Sequence, residues 1–415
     1  MKAIGLRCVN CHREYSLGLL SQCPDCFFPL EVCYEALSGN RMIETAGKQG
    51  IWRYGPLLPT LLEKEEVSLG EGNTPLLHAQ RLNERMGLQN LYIKYEGQNP
   101  TGSFKDRPTA VGVSMALSLG LKTVTASSTG NAGASLAAYA ARAGLHALIF
   151  VTDRTPPAKL VQMVLYGARV ITVQGSLSDA YWLARNASVE WGWMNLTSTF
   201  LSPYGVEGDK TVAYELYQQL DRTPDWIIVP VSVGPLLVGI YNGYLDLKKL
   251  GLIERLPRMV AAQSSACAPI ARAFKHGDDY VRSWERLTDT VAGGIADPLI
   301  GYEQDGTYTL RVIRNSNGAA TVSTDVKILE ATQTLARDEG IFSEPTGAVS
   351  LAALNELRDN PFFDPEQMVV CLVTGHGLKQ VRAFEKQIQL PEAIEPTLEA
   401  LSVFLKKQFL DQEEL

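Results

Sequence analysis

From about residue 122 the chain alternates short apolar runs with helix-patterned segments, and this rhythm constrains the fold more than any other feature. Lys122 to Ala126 reads as a strand, Asn131 to Arg142 as an Ala-rich helix, and His146 to Val151 as an apolar strand. A helix follows from Pro156 to Tyr166, stopping at Gly167; then come a strand, Arg169 to Val173, and a helix, Leu177 to Trp191. A second block opens with a strand from Trp226 to Val231 and a helix from Pro235 to about Lys249. Strands at Met259 to Gln263 and Met368 to Val373, with helices at Thr324 to Asp338 and Gly347 to Leu357, complete it. Strands that alternate with helices form parallel sheets, and parallel strands are buried on both faces, so their apolar runs are continuous. The expected fold class is α/β with doubly wound open sheets. Residues 278–322 carry Gly/Asn/Asp turns and one expected strand, Tyr308 to Ile313. The tail from Pro391 ends in an amphipathic helix with Leu398, Leu401, Phe404 and Leu405 on one side, a stripe expected to pack on its own chain.

A chain of 415 residues is too long for one ordinary domain. Its 46% hydrophobic and 20% charged residues place it among globular proteins. No apolar stretch approaches membrane-spanning length, and Met1 to Arg7 lacks the apolar run of a signal peptide. A net charge of −7 argues against a broad nucleic-acid surface.

Five of the 7 cysteines, Cys8, Cys11, Cys23, Cys26 and Cys33, crowd the first 33 residues. That distribution is not a disulfide framework, and a reducing cytoplasm fits it. Cys8-x-x-Cys11 and Cys23-x-x-Cys26 are two knuckles, each able to turn both thiolates toward one ion. Together they predict a structural zinc ribbon over 1–38, a segment too small to build its own core. His12 and Cys33 are alternative ligands, and a degenerate ribbon without metal is the competing reading. Four thiolates leave no open position for metal catalysis.

The most informative stretch is Glu71-Gly72-Asn73-Thr74-Pro75-Leu76, followed by Lys94-Tyr95-Glu96-Gly97-Gln98-Asn99-Pro100-Thr101-Gly102-Ser103-Phe104-Lys105-Asp106-Arg107. It resembles the pyridoxal-phosphate enzymes of the tryptophan-synthase β family, called fold type II. There the lysine of a Ser-Phe-Lys-Asp-Arg motif holds the cofactor, which makes Lys105 the catalytic residue, with Phe104 beside it. A buried lysine gives up its proton readily, which suits it to this chemistry. Asp106 and Arg107 are expected to pair with each other or to cap the next helix. Ser127-Ser128-Thr129-Gly130-Asn131 lies between a strand and a helix, where free backbone N–H groups attract anions. On its own it reads as a helix N-cap. The resemblance gives Asn131 the cofactor's phenolic oxygen and gives Ser128, Thr129 and Gly130 the substrate carboxylate.

A phosphate cradle is expected at Ser232-Val233-Gly234-Pro235-Leu236-Leu237, although the family loop is richer in glycine. Its cofactor-binding positions are Ser232, Val233, Gly234, Leu236 and Leu237; Pro235 lacks an N–H but suits the first helical turn. Thr374-Gly375-His376-Gly377 closely resembles the threonine-synthase signature, in which the threonine hydroxyl meets the pyridine nitrogen. In the family a further segment commonly reads Asn-Pro-Tyr-Arg-x-Glu-Gly, with the arginine near the substrate phosphate. Here Gly205 stands in Pro203-Tyr204-Gly205-Val206-Glu207-Gly208. Lys159, Lys210 or the Ser128 and Thr129 hydroxyls are the candidates to compensate.

The resemblance implies two doubly wound domains behind the ribbon: a large cofactor domain, 39–106 and 206–390, and a small mobile domain, 107–205, with a helical tail, 391–415. It implies a homodimer that acts on a small amino-acid substrate; cysteine usage, charge and the lengths of the apolar runs point to a cytoplasmic protein without nucleic-acid or membrane partners. The expected activity is threonine synthase, converting O-phosphohomoserine and water to threonine and phosphate. The alternatives are a cysteate-synthase-like enzyme on phosphoserine, a serine/threonine dehydratase, and a non-catalytic zinc-ribbon interaction protein.

Overall fold

The computed structural model describes residues 3–35, 43–59, 65–155, 157–285, 289–385, 388 and 392–409. Three strands open the chain: β1 (Ala3–Cys8), β2 (Glu14–Tyr15) and β3 (Leu30–Tyr34), an antiparallel ribbon of order β2-β1-β3. Next come β4 (Leu76–His78), β5 (Asn90–Tyr95), β6 (Thr123–Ser127), β7 (His146–Thr152), β8 (Arg169–Val173) and β9 (Met194–Asn195). The last four strands are β10 (Trp226–Pro230), β11 (Arg258–Ser264), β12 (Ala319–Ser323) and β13 (Met368–Val373).

These strands form two further sheets, of order β8-β7-β6-β9 and β12-β11-β10-β13-β5-β4. All neighbours are parallel except β4, which pairs antiparallel with β5 at one edge. The central strands are buried along their whole length: every residue of β10 and of β13 is buried. That matches their unbroken apolar sequences. Both sheets are doubly wound. In the smaller one the chain steps outward from β6 through β7 to β8, then returns to the other side of β6 as β9. In the larger one it steps from β10 to β11 and β12, then returns beside β10 as β13. Such reversals leave a crevice at the carboxyl ends of the two central strands, where ligands bind. The loops at these crevices are the ones after β6 and β9, and after β10 and β13.

The expected elements appear with ends shifted by one or two residues, with one exception. Tyr308 to Ile313 is not a strand. It belongs to a helix, Glu303–Asn315, that buries Gly306, Thr309, Leu310 and Ile313 at helical spacing. The β-branched and aromatic content of Tyr-Thr-Leu-Arg-Val-Ile favours a strand locally, but burial on one helical face overrides it. Glu303 and Asp305 in the first turn and Arg314 in the last also suit the helix dipole. Pro156 and residues 36–38 lie outside the described residues, so the helix after β7 is seen as Pro157–Leu165 and the ribbon as 3–35.

Residues 1–379 form one compact unit and 380–415 a second. The second contains the helix Leu398–Phe409, in which Leu398 and Leu401 are exposed. Among the described residues no helix is long and apolar enough to cross a membrane.

Candidate active site

Lys105 stands at the start of the helix Asp106–Ser118, at the end of the loop that leaves β5. Asp106 closes this loop. It accepts from Thr101 N at 2.7 Å, from Thr101 Oγ1 at 2.6 Å and from Ser135 Oγ at 2.7 Å. Phe104 N donates to the Thr374 carbonyl at 3.0 Å, and Ser103 bridges Gly375, so the loop is stitched to the end of β13. Arg107 turns the other way, onto Glu96 and Glu215. Asp106 and Arg107 therefore do not pair with each other, contrary to one sequence expectation. Each has better-placed partners of its own.

The Lys105 amine donates to Ser198 Oγ, in the loop after β9, and lies 4.1 Å from the centre of the Phe104 ring. Burial pushes its pKa down to about 8, against the pull of Asp209 and Glu344. A free amine is therefore available near neutral pH. Lys105, Thr197, Ser198, Gly205, Asp209 and Pro235 line one cavity. Asp209 is buried, and its Oδ1 has no hydrogen-bond partner among the described residues. Burial raises the Asp209 carboxyl, while Lys105 lowers it.

The other expected cofactor residues converge from the crevice loops. Asn131 opens the 13-residue helix after β6, and its Nδ2 donates to Glu344 Oε1 at 2.8 Å. Thr374, at the end of β13, is 2% exposed, and its hydroxyl has no partner among the described residues. A buried unpaired hydroxyl is costly unless a ligand supplies its partner, so this atom fits a cofactor ring nitrogen. After β10, the first bond of helix Pro235–Lys249 runs from Val238 N to the Gly234 carbonyl. The N–H groups of Leu236 and Leu237 therefore precede the helical ladder and are free for an anion. Gly234 has φ +122, and a Cβ there would meet Thr309 Oγ1 at 2.1 Å. Ser232 and Val233 lead into this turn, and Thr309 Oγ1 donates to the Val233 carbonyl at 2.7 Å. The residues present fit pyridoxal phosphate.

The expected substrate residues divide. Ser128 Oγ accepts from Gly130 N at 3.3 Å and Gly133 N at 3.1 Å, shaping a half-buried loop with Thr129 beside Asn131. Lys159 is exposed, and its charge reaches Glu344. Lys210 does not serve as a free cation. It is 4% exposed and bonded to Glu207 at 2.6 Å and Asp246 at 3.0 Å. Its partners on the helices Pro203–Asp209 and Pro235–Lys249 hold it in a buried ion cluster.

Three residues of the site were not legible as such: Ser198, Asp209 and Glu344. Glu344 precedes Pro345 at the N-terminus of the helix Pro345–Leu357. An acidic residue before an N-terminal proline and an apolar run was the only signal, and it marks any helix start. Burial raises the Glu344 carboxyl to about 7, while Lys379, Asn131, Lys159 and Lys105 oppose the shift.

In the ribbon, the sulfurs of Cys8, Cys11, Cys23 and Cys26 all lie within 4.8 Å of one another. Cys8 and Cys26 are 3.4 Å apart, and Cys11 and Cys23 3.6 Å. Tetrahedral zinc with Zn–S of about 2.3 Å separates sulfurs by roughly 3.8 Å, so the four thiols form a fitting donor set. Neither His12 nor Cys33 joins it.

A crevice at the switch points of two doubly wound sheets, lined by a buried lysine, is where enzymes of this architecture bind their ligands. The family described as "Pyridoxal-phosphate dependent enzyme" matches residues 67–375, and the chain belongs to that family. Threonine synthase of Methanosarcina acetivorans is 37% identical over 401 residues, spanning 95% of this chain and 97% of that protein. Threonine synthase of Methanocaldococcus jannaschii is 37% identical over 407 residues, spanning 97% and 99%. Among solved structures, maize serine racemase matches with a TM-score of 0.65 at 23% identity, covering 76% of this chain and 91% of that one. Threonine deaminase isoform 2 from Solanum lycopersicum matches with a TM-score of 0.63 at 18% identity, covering 86% and 99%. At these identities the two structures show the fold alone.

Proposed function

We propose that the chain is a threonine synthase, converting O-phosphohomoserine and water to threonine and phosphate. The similarity to threonine synthases over nearly the whole of both chains carries this reading. Bound pyridoxal phosphate supplies an electron sink for carbanions next to the amino-acid nitrogen. The chain supplies binding, orientation and proton transfer. Lys105 would hold the cofactor and would move the proton at the substrate α-carbon. Asn131 donates to the phenolic oxygen. Thr374 meets the ring nitrogen as a neutral hydroxyl, which moderates electron withdrawal compared with an aspartate. The amides of Gly234, Leu236 and Leu237 take the cofactor phosphate. The loop of Ser128, Thr129 and Gly130 takes the substrate carboxylate at a helix N-terminus. Residues 107–205 act as a small mobile domain over the large one, 39–106 and 206–390, and closure keeps bulk water from the reacting atoms. Cys8, Cys11, Cys23 and Cys26 hold a structural Zn2+. The enzyme works as a cytoplasmic homodimer.

Gly205 and Asp209 favour a second reading. Where the family carries an arginine for the substrate phosphate, this cavity has a glycine and a buried carboxylate. A serine/threonine dehydratase, whose substrate has no phosphate, suits such a cavity. The test is a product assay with cofactor-loaded protein and O-phosphohomoserine, O-phosphoserine, serine and threonine supplied separately. Equal amounts of threonine and phosphate from O-phosphohomoserine support the synthase. Oxo acid from serine or threonine, with no threonine formed, overturns it in favour of the dehydratase.

A further inference from the structure

Glu344 has no role in the chemistry outlined above, yet it stands between two of the cofactor's expected contacts. It is 6% exposed. Its backbone N–H donates to the Gly375 carbonyl at 3.1 Å, next to Thr374. Its Oε1 accepts from Asn131 Nδ2 at 2.8 Å. A Cβ on residue 375 would come within 2.3 Å of the same Oε1. The glycine there leaves the space that the carboxylate fills.

A side-chain amide has two N–H donors on one side and a carbonyl on the other, and it can turn over to suit its neighbours. An ionised carboxylate only accepts, so it admits one orientation of the amide and repels the other. We propose that Glu344 is a positioning residue that acts through Asn131: it takes one N–H of Nδ2 and so presents the second N–H to the phenolic oxygen of the bound cofactor. The same bond ties the helix start after β6 to the start of the helix Pro345–Leu357, where the Glu344 N–H in turn meets the Gly375 carbonyl after β13. The inference rests on the cofactor assignment and not on which amino acid is turned over, so a failed product assay leaves it standing.

The test needs no substrate. Pyridoxal phosphate is titrated into the apoprotein and followed by its visible absorbance band. The pH is kept above the value of about 7 to which burial raises the Glu344 carboxyl. Glu344→Met keeps the length and removes the acceptor. Cofactor affinity is expected to fall about 10- to 100-fold, the scale seen when a group that orients a metal-ligating side chain is removed. Glu344→Gln keeps an accepting oxygen but can also present an N–H, so its loss is expected to be smaller than that of Glu344→Met. In an Asn131→Ala background Glu344→Met is expected to add almost nothing, because coupled residues are not additive. Equal losses from Glu344→Met in both backgrounds would overturn the proposal, as would a Glu344→Gln loss as large as that of Glu344→Met. If Glu344→Met does not fold, Glu344→Asp breaks the 2.8 Å bond while keeping the charge. Its effect is read by the same comparison of backgrounds.

Discussion

Arg107 and Glu215 form a fully buried bidentate pair, Nη1 to Oε1 at 2.7 Å and Nη2 to Oε2 at 2.8 Å. Arg107 also binds Glu96 through Nε at 2.7 Å and Nη2 at 2.9 Å, and Lys94 meets Glu215 at 2.7 Å. Two cations thus balance two carboxylates. Forked guanidinium bonds fix direction as well as charge. The network ties the residue two places after Lys105 to the end of β5 and to the helix Thr211–Gln219. Arg107→Met would leave two buried carboxylates with one cation. The expected cost is about 3–5 kcal/mol of stability, read by urea unfolding of the apoprotein. A cost below about 1 kcal/mol would mean the network does not anchor the loop.

Lys105 should react as an unusually acidic amine. Labelling of the apoprotein by an amine reagent, followed residue by residue by mass spectrometry, should rise at Lys105 with a midpoint at a pH of about 8. Ordinary lysines titrate at roughly 10.4. Asp209 pulls the Lys105 value upward, so Asp209→Asn should move the midpoint further down. An upward move would remove Asp209 from the electrostatics of the site.

Thr374→Val should separate stability from cofactor binding. The buried hydroxyl has no partner among the described residues, so an isosteric apolar side chain should leave the apoprotein as stable or stabilise it by about 1 kcal/mol. The same variant should bind pyridoxal phosphate more weakly. A fall in apoprotein melting temperature together with unchanged cofactor affinity would contradict the role given to Thr374.

Gly205→Arg tests where a substrate phosphate sits. A Cβ on residue 205 would lie 3.0 Å from Ser202 Oγ and 3.5 Å from Pro108 Cβ, beside residues that line the Lys105 cavity. A guanidinium there should lower KM for O-phosphohomoserine roughly 10-fold or more, as a charge-assisted pair of about 1.5–3 kcal/mol permits. It should not improve turnover of serine. An unchanged KM would place the phosphate elsewhere, with exposed Lys159 the next candidate.

Zinc removal should be felt in the body of the enzyme. The Tyr204 hydroxyl exchanges hydrogen bonds with Gly18 N and O, both at 2.9 Å, and Tyr34 donates to Glu207. Both body residues lie on the helix Pro203–Asp209, which carries Gly205 and Asp209. Purified protein should contain one zinc per chain, and chelation should unfold the ribbon, because the metal supplies its folding energy. Hydrogen exchange across 203–209 should then accelerate. Absence of zinc, or unchanged exchange on its removal, would count against the metal or against this coupling.

Asn131, Gly234 and Thr374 each lie just after a strand, and Lys105 closes the loop that leaves β5. The apolar runs that place those strands need only periodicity to be seen, but the roles expected of the four residues came from the family resemblance. The four knuckle cysteines are a matter of spacing. Tyr308 to Ile313 was misread because a short run of β-branched and aromatic residues suits both a strand and the buried face of a helix. Only packing against the large sheet decides between them.

Lys210 and Glu344 mark the limit from opposite sides. Lys210 has the right charge near the right motif, but buried Glu207 and Asp246 claim it. Glu344 has no motif, yet it bonds Asn131 across 213 residues of chain. The sequence alone determined the α/β class and the paired-cysteine spacing, because periodicity and spacing act over a few residues, and its motifs pointed to Lys105 through their resemblance to a known family. The tertiary structure alone decided which charges neutralise one another and which loops meet. Those outcomes depend on strand order and burial, which bring distant residues within hydrogen-bond reach.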